Sequence, residues 1–193
     1  MRRLFLTHRS PYARKVSLQL LRRGLQFEEV LVDLGNRSPE FVAISPIGKV
    51  PVLQDEDGTV VFDSTVICEY LADRYGDDVT GWQSRLARRQ LDELGDGLGD
   101  QAIAIFFGRQ GGANTDKAER VAARLLGALE ATVPAPLAPF GATWTWGDDA
   151  VFSSLGYWNF RLGDSWRAAH PRLSAWVEAV DATPEGTRTR PRG

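Results

Sequence analysis

The 193-residue sequence holds one cysteine, Cys68, one methionine and two histidines, His8 and His170. A lone cysteine excludes a disulfide scaffold. The two histidines form no metal-binding cluster with it, so no metal site is expected. Long apolar runs are missing as well. The longest, Ala102 to Phe107, falls far short of the ~20 residues needed to span a bilayer. The opening Met1-Arg2-Arg3-Leu4-Phe5-Leu6 lacks the apolar stretch of a secretory signal. Nor is there an excess of either charge: 23 basic against 25 acidic residues leaves −2. That balance confers no general affinity for nucleic acid or for an anionic membrane. The expectation is a reduced, cytoplasmic protein. Lysine is scarce, at three residues against 20 arginines. A GC-rich genome produces that bias without a functional reason.

What is present suits a folded chain. Apolar residues make up 43% and charged residues 25%, the usual mix for globular proteins. The length allows one large domain or two small ones, and the two halves read differently. In the first, Arg3 to Thr7 suits a buried strand, Pro11 to about Arg23 a helix, and Phe27 to Val32 a second strand. Proline is acceptable at the first helical position and Gly24 is a reasonable stop. Such a strand–helix–strand unit has a right-handed crossover and parallel strands. A short helix over Pro39 to Ile44, with Ser38 as a possible cap, leads to a hairpin. One arm follows Pro51, Asp57-Gly58 makes the turn, and Thr59 to Phe62 returns. Ser64 opens a helix with Val66, Ile67, Tyr70 and Leu71 on its buried face. A four-stranded mixed sheet with helices packed on it follows.

Residues 76–82 read as a linker. Beyond them, Leu91, Leu94, Leu98, Ala102 and Ile105 mark a long helix, loosened by Gly95, Gly97 and Gly99. Val121, Leu125, Leu129 and Val133 mark the next helix, which Pro134, Pro136 and Pro139 end. Thr145-Trp146-Gly147-Asp148 fits a capping box opening a helix that carries Val151, Leu155, Trp158 and Leu162. A last helix runs from Pro171 to about Asp181, with His170 serving its start, and the tail from Pro184 is expected on the surface. The fold class is thus α/β plus all-α, divided as residues 1–76 and 83–193.

Three places could carry chemistry, and each also has a plain structural explanation. Ser10 ends a strand and starts a helix, where unpaired N–H groups favour a nearby anion. Its hydroxyl could donate to a thiolate or alkoxide, or could only cap the helix. Val50-Pro51 could be a cis peptide that leaves the Val50 backbone free to pair with an extended ligand, or an ordinary trans proline on an edge strand. Asp63-Ser64 could hold an ammonium and a carboxylate, or simply cap. All three fall at the ends of sheet elements, where open α/β sheets commonly place ligands. Other chemistries lack support. No Gly-x-Ser-x-Gly turn makes a nucleophile of Ser10 with His8 as base. Cys68 falls inside a helix, as a small buried residue does. Gly95-Asp96-Gly97-Leu98-Gly99 follows no strand and so is no dinucleotide loop.

Taken together, Ser10-Pro11-Tyr12-Ala13-Arg14-Lys15-Val16, the stretch from Ser45 to Leu53, and Asp63-Ser64-x-x-Ile67-x-x-Tyr70-Leu71 resemble the glutathione S-transferase superfamily, most closely bacterial members with a Ser-Pro-Tyr or Ser-Pro-Phe motif. Thr145-x-x-Asp148, Gly156 to Arg161, Trp166 and His170-Pro171-x-Leu173-x-x-Trp176 are similar to that family's helical half. The resemblance implies a thioredoxin-like N-terminal domain and a helical-bundle C-terminal domain. It further implies glutathione as co-substrate, a small electrophile as partner substrate, and a homodimer. Ser10 would donate to the glutathione sulfur, Val50 would pair its backbone with the cysteinyl part beside cis-Pro51, and Asp63 and Ser64 would hold the γ-glutamyl end. Phe106, Phe107 and Trp166 are candidates for lining the electrophile pocket. The alternatives are an isomerase or lyase of a biosynthetic pathway on the same fold, and a non-catalytic binding protein. The linker is shorter than is usual in the family.

Overall fold

The computed structural model describes residues 1–76, 79–132 and 144–193. The expected helix stops at Pro134, Pro136 and Pro139, and Val133 before them, lie outside the described residues, as do positions 77 and 78 of the linker.

The chain opens with β1 (Arg2–Leu6), α1 (Pro11–Arg22), β2 (Phe27–Leu31) and α2 (Pro39–Ile44). The hairpin strands β3 (Val52–Gln54) and β4 (Val60–Val61) lead into α3 (Ser64–Tyr75). The four strands form one sheet in the order β2-β1-β3-β4, with β1 parallel to β2 and antiparallel to β3. The crossover unit and the hairpin predicted from the periodicity are both present. Local chemistry explains the boundaries. Ser38 accepts from the Phe41 N–H at 3.2 Å to start α2. Gly58, at φ +87°, closes the β3–β4 turn in a left-handed conformation that suits glycine. Val66 is a correction: it stands 46% exposed, while Ile67 and Leu71 fill the core.

The second half is helical: α4 (Trp82–Gln110), α5 (Asp116–Thr132), α6 (Trp146–Leu162), α7 (Pro171–Asp181) and α8 (Pro184–Arg188). The capping box at α6 is present. Asp148 accepts from the Thr145 N–H at 2.7 Å, and the Thr145 hydroxyl accepts from the Gly147 N–H at 3.2 Å. His170 makes no side-chain cap for α7. Glu130 of α5 supplies it instead, accepting from the Arg172 and Leu173 N–H groups at 3.0 and 2.8 Å. The architecture is a thioredoxin-like sheet unit joined to a helical bundle.

The two units share side chains. Leu18 of α1 belongs to the helical core, and Trp146 of α6 is buried among Leu4, Val16 and Ile67. Asp149, fully buried, ties α1 to α6 by accepting from Arg22 Nη1 and Trp144 Nε1, both at 2.9 Å, and from Gln19. The expectation that the glycines merely loosen α4 is corrected by its packing on α6. A Cβ on Gly95 would stand 2.5 Å from the Val151 nitrogen, and one on Gly99 2.8 Å from Ser154 Oγ. These two glycines let the helix axes approach closely. Gly97 differs, because its nearest neighbour would be Leu125 Cδ1 at an ordinary 3.7 Å. The tail lies largely on the surface, as expected, and α8 also packs back on α1, with Gly186 buried against it.

Gly97→Ala should therefore stabilise the chain by up to ~1 kcal/mol through helix propensity. Gly95→Ala, forced against α6 backbone, should cost more than about 2 kcal/mol. Denaturant midpoints of the two variants against the parent check both signs.

Candidate functional site

A groove of about 470 Å³ lies between the sheet unit and α4. Its sheet side is built by two turns. In the first, the Gly48 N–H donates to the Ser45 carbonyl at 2.8 Å, and the Ser45 hydroxyl donates to the Lys49 carbonyl at 2.9 Å. This delivers Val50 and Pro51 to the groove across a cis peptide bond. Val50 stands outside β3, and among the described residues its N–H and C=O pair with no other backbone group. In the second turn, Asp63 caps α3 by accepting from the Val66 N–H at 3.3 Å. The Phe62–Asp63 peptide is also cis. Ser64, the first residue of α3, is buried and faces the groove.

Four of the five residues singled out by the sequence, Val50, Pro51, Asp63 and Ser64, thus line one groove. The fifth does not. Ser10 lines a separate cavity of about 20 Å³ between the β1–α1 turn and the C-terminal segment. Its Oγ accepts from the Ala13 N–H at 3.2 Å, so the cap is real. The hydroxyl proton is not consumed by that bond. Two residues on, Tyr12 does line the groove, and its hydroxyl donates to Asp100. Burial first, and then the Asp100 carboxylate, raise the Tyr12 pKa.

The α4 wall was not legible as part of a site. It presents Glu93, Asp96 and Asp100, and α3 adds Glu69, against Lys49 and Arg89 as the basic groups. The start of α3 offers partial positive charge to a carboxylate, while the acidic wall favours an ammonium. A ligand end bearing both charges fits this polarity. Behind the wall, Lys15 is fully buried, with Nζ 2.7 Å from Asp92, 2.8 Å from Asp96 and 3.1 Å from Thr65 Oγ1. Burial opposes the Lys15 charge, yet the flanking carboxylates outweigh it and raise its pKa. Asp92 also has Arg89 Nη1 at 3.5 Å, while Asp96 has Lys15 as its cationic partner. Burial pushes Asp96 up to about 6, against the pull of Lys15 and helped by Asp92. The signal for this wall was the spacing of Asp92, Asp96 and Asp100, four apart on one helix face.

Phe106, Phe107 and Trp166 do not line the groove. Phe107 is 59% exposed, Phe106 lies under Arg161, and Trp166 is buried with its N–H donated to Asn159. Cys68 is buried in the sheet-side core, and burial pushes its thiol pKa up. His8 pairs with Glu29 at 2.7 Å. Among the described residues, no group of three or more His, Cys, Asp or Glu could hold a metal ion, and no helix is long and apolar enough to cross a membrane.

Comparison with known proteins gives the following. Residues 9–74 match the family model described as glutathione S-transferase, N-terminal domain. Over 75 residues the chain is 40% identical to glutathione S-transferase F10 of Arabidopsis thaliana, covering 36% of this chain and 34% of that protein. Over 78 residues it is 33% identical to maleylacetoacetate isomerase of Pseudomonas aeruginosa, covering 38% and 37%. The matched part thus spans about a third of the length of these curated relatives. Among solved structures, a glutathione S-transferase from Methylobacterium radiotolerans, in complex with glutathione sulfonate, is similar over the whole chain. The TM-score is 0.89 at 28% identity, covering 100% of this chain and 95% of that one.

Two outcomes follow from the buried cluster. Lys15→Met, which leaves Asp96 without its ammonium and Asp92 with only Arg89 and Thr65, should cost about 3–5 kcal/mol in a denaturant titration. Asp96 binds its proton more tightly folded than unfolded, so its contribution to stability is full below about pH 4 and lost as pH rises through about 6. Asp96→Asn should flatten the fall in unfolding free energy across that window, read from titrations at stepped pH.

Proposed function

The chain belongs to the glutathione S-transferase superfamily, and from that premise we propose that it binds glutathione in the groove and activates its thiol to attack a small electrophile. The observation that carries this reading is the convergence of Val50, Pro51, Asp63 and Ser64 on one groove at the start of α3. The backbone of Val50 pairs with the cysteinyl part of the tripeptide, beside Pro51. Asp63 accepts from the γ-glutamyl ammonium, and Ser64 with the first turn of α3 holds its carboxylate.

Ser10 is the proposed donor to the sulfur. A free thiol has a pKa near ~8.5, so only a few per cent is thiolate at pH 7. Lowering it by about two units stabilises the thiolate by ~2.7 kcal/mol. A hydroxyl that accepts from a helix N–H is polarised toward donation, and Ser10 is so placed. Tyr12 is the weaker candidate despite facing the groove, because its proton is already given to Asp100. The thiolate then attacks an electrophilic carbon, forming the C–S bond as the leaving group departs or a ring opens.

A second reading keeps the fold and changes the reaction. The similarity to maleylacetoacetate isomerase over 78 residues favours an isomerase in which the thiol adds and is released again. Consumption of glutathione separates the two: a transferase depletes it one for one, whereas an isomerase returns it. A protein that binds glutathione without turning over either class would be a binding module. We further infer a cytoplasmic homodimer. Exposed Trp82 and Leu86 supply apolar surface for the pairing, and sedimentation would measure it.

Ser10→Ala should lower kcat about 10²-fold with a generic electrophile, while glutathione binding persists. Tyr12→Phe should change kcat only a few-fold. An unchanged rate in Ser10→Ala would leave Ser10 as a cap alone. Asp63→Ala should weaken glutathione binding by about tenfold or more in a calorimetric titration, since it removes a charged hydrogen bond. Equal affinity refutes that assignment.

A further inference from the structure

Arg14 follows Ser10 by one helical turn, and its side chain is 2% exposed. A buried guanidinium is costly unless its donors are met. Here the last stretch of the chain meets Nε and Nη2, while Nη1 has no hydrogen-bond partner among the described residues. Nε donates to Thr189 Oγ1 at 3.2 Å, and Nη2 donates to the Gly186 carbonyl at 3.1 Å and to Asp181 at 3.4 Å. The guanidinium lies 4.1 Å over the Phe152 ring. Nη1 faces Gly156, where a Cβ would stand 2.0 Å away. Gly186 is closed in too, since a Cβ there would stand 2.1 Å from the Val180 carbonyl oxygen. The Arg14 N–H donates to the Ser10 carbonyl at 3.0 Å, so this residue closes the first turn of α1 on Ser10 itself.

The same segment reaches the strand side of that turn. Arg192 Nη2 lies 3.2 Å from His8 Nε2. Ser10, Arg14, Thr189 and Arg192 line one cavity of about 20 Å³. The β1–α1 turn is thus held at Arg14 by the last stretch of the chain, with Arg192 lying alongside His8, whose Nε2 pairs with Glu29.

We propose that Arg14 is a positioning residue through which the C-terminal segment holds the first turn of α1, and with it the Ser10 hydroxyl, in the orientation that serves the bound thiol. This rests on the reading of Ser10 as the donor to sulfur. Val50, Pro51, Asp63 and Ser64, proposed to hold glutathione, do not line the cavity shared by Arg14, Thr189 and Arg192, so affinity and activation are read separately.

The test uses the full chain carrying Thr189→Val with Arg192→Ala, and separately Arg14→Lys. The pKa of bound glutathione is read from ultraviolet thiolate absorbance, alongside kcat and KM across pH. With the segment's hold removed, the bound thiol pKa should rise by about one unit and kcat at neutral pH fall about tenfold. KM for glutathione should change less than about two-fold. Arg14→Lys keeps the charge but not the planar fork, and should not restore the parent profile. A double variant that unfolds cooperatively and keeps the parent's thiol pKa overturns the proposal. So does parent-like behaviour in Arg14→Lys, which, being a point change that keeps the charge, decides the matter if the double variant folds poorly. A parent that binds glutathione with an undisplaced thiol pKa overturns the underlying role of Ser10, and this one with it.

Discussion

Helix α1 is buried on both sides, and that constraint organises the molecule. One face supplies Ala13, Val16 and Leu20 to the sheet-side core, while Leu18 joins the helical core. A helix with no solvent face has nowhere to place its polar residues cheaply. Arg14, Lys15 and Gln19 are nevertheless buried in it, and each is met by a specific partner from the second half. Lys15 meets Asp92 and Asp96 of α4, Gln19 and Arg22 meet Asp149 of α6, and Arg14 meets the last stretch of the chain.

Such pairs contribute little net stability, because desolvation offsets most of their attraction. Their effect is on register. A slide or rotation of α1 against the bundle would leave a buried charge unpaired. The start of α1 is where the Ser10 turn meets the C-terminal segment, and Tyr12 on its next turn lines the groove. The same contacts that join the halves therefore set the position of the site's third wall. α4 illustrates the coupling: Gly95 and Gly99 admit α6 at close range on one side, and Asp96 and Asp100 face the groove on the other.

Much of the local structure was legible because it depends on neighbours in sequence. Ser38, Pro39, Pro171 and the Thr145–Asp148 box act within one turn of helix, and the element starts they mark agree with the structure. The hairpin follows from Asp57-Gly58 alone. Four of the residues that the sequence motifs single out line one groove. What failed to show were roles assigned by partners far away. Val66 has the spacing of a core residue but stands at the groove. Phe107 has the look of a pocket lining and is exposed. Compositional bias hid the buried arginines: an abundance that needs no function still includes Arg2, Arg14 and Arg88 inside the protein.

By itself, the order of residues determined the elements, their caps, the mixed sheet and the family resemblance, since these rest on periodicity, turn chemistry and contiguous motifs. Tertiary structure alone decided which charges are buried together, that glycines in α4 serve close packing, and that the C-terminal segment returns to α1. The physical reason is distance along the chain. Lys15 and Asp96 are 81 residues apart, and Arg14 and Thr189 are 175 apart. Neither member of such a pair carries a local mark of the other, and the energetic demand for a partner exists only once burial has removed water.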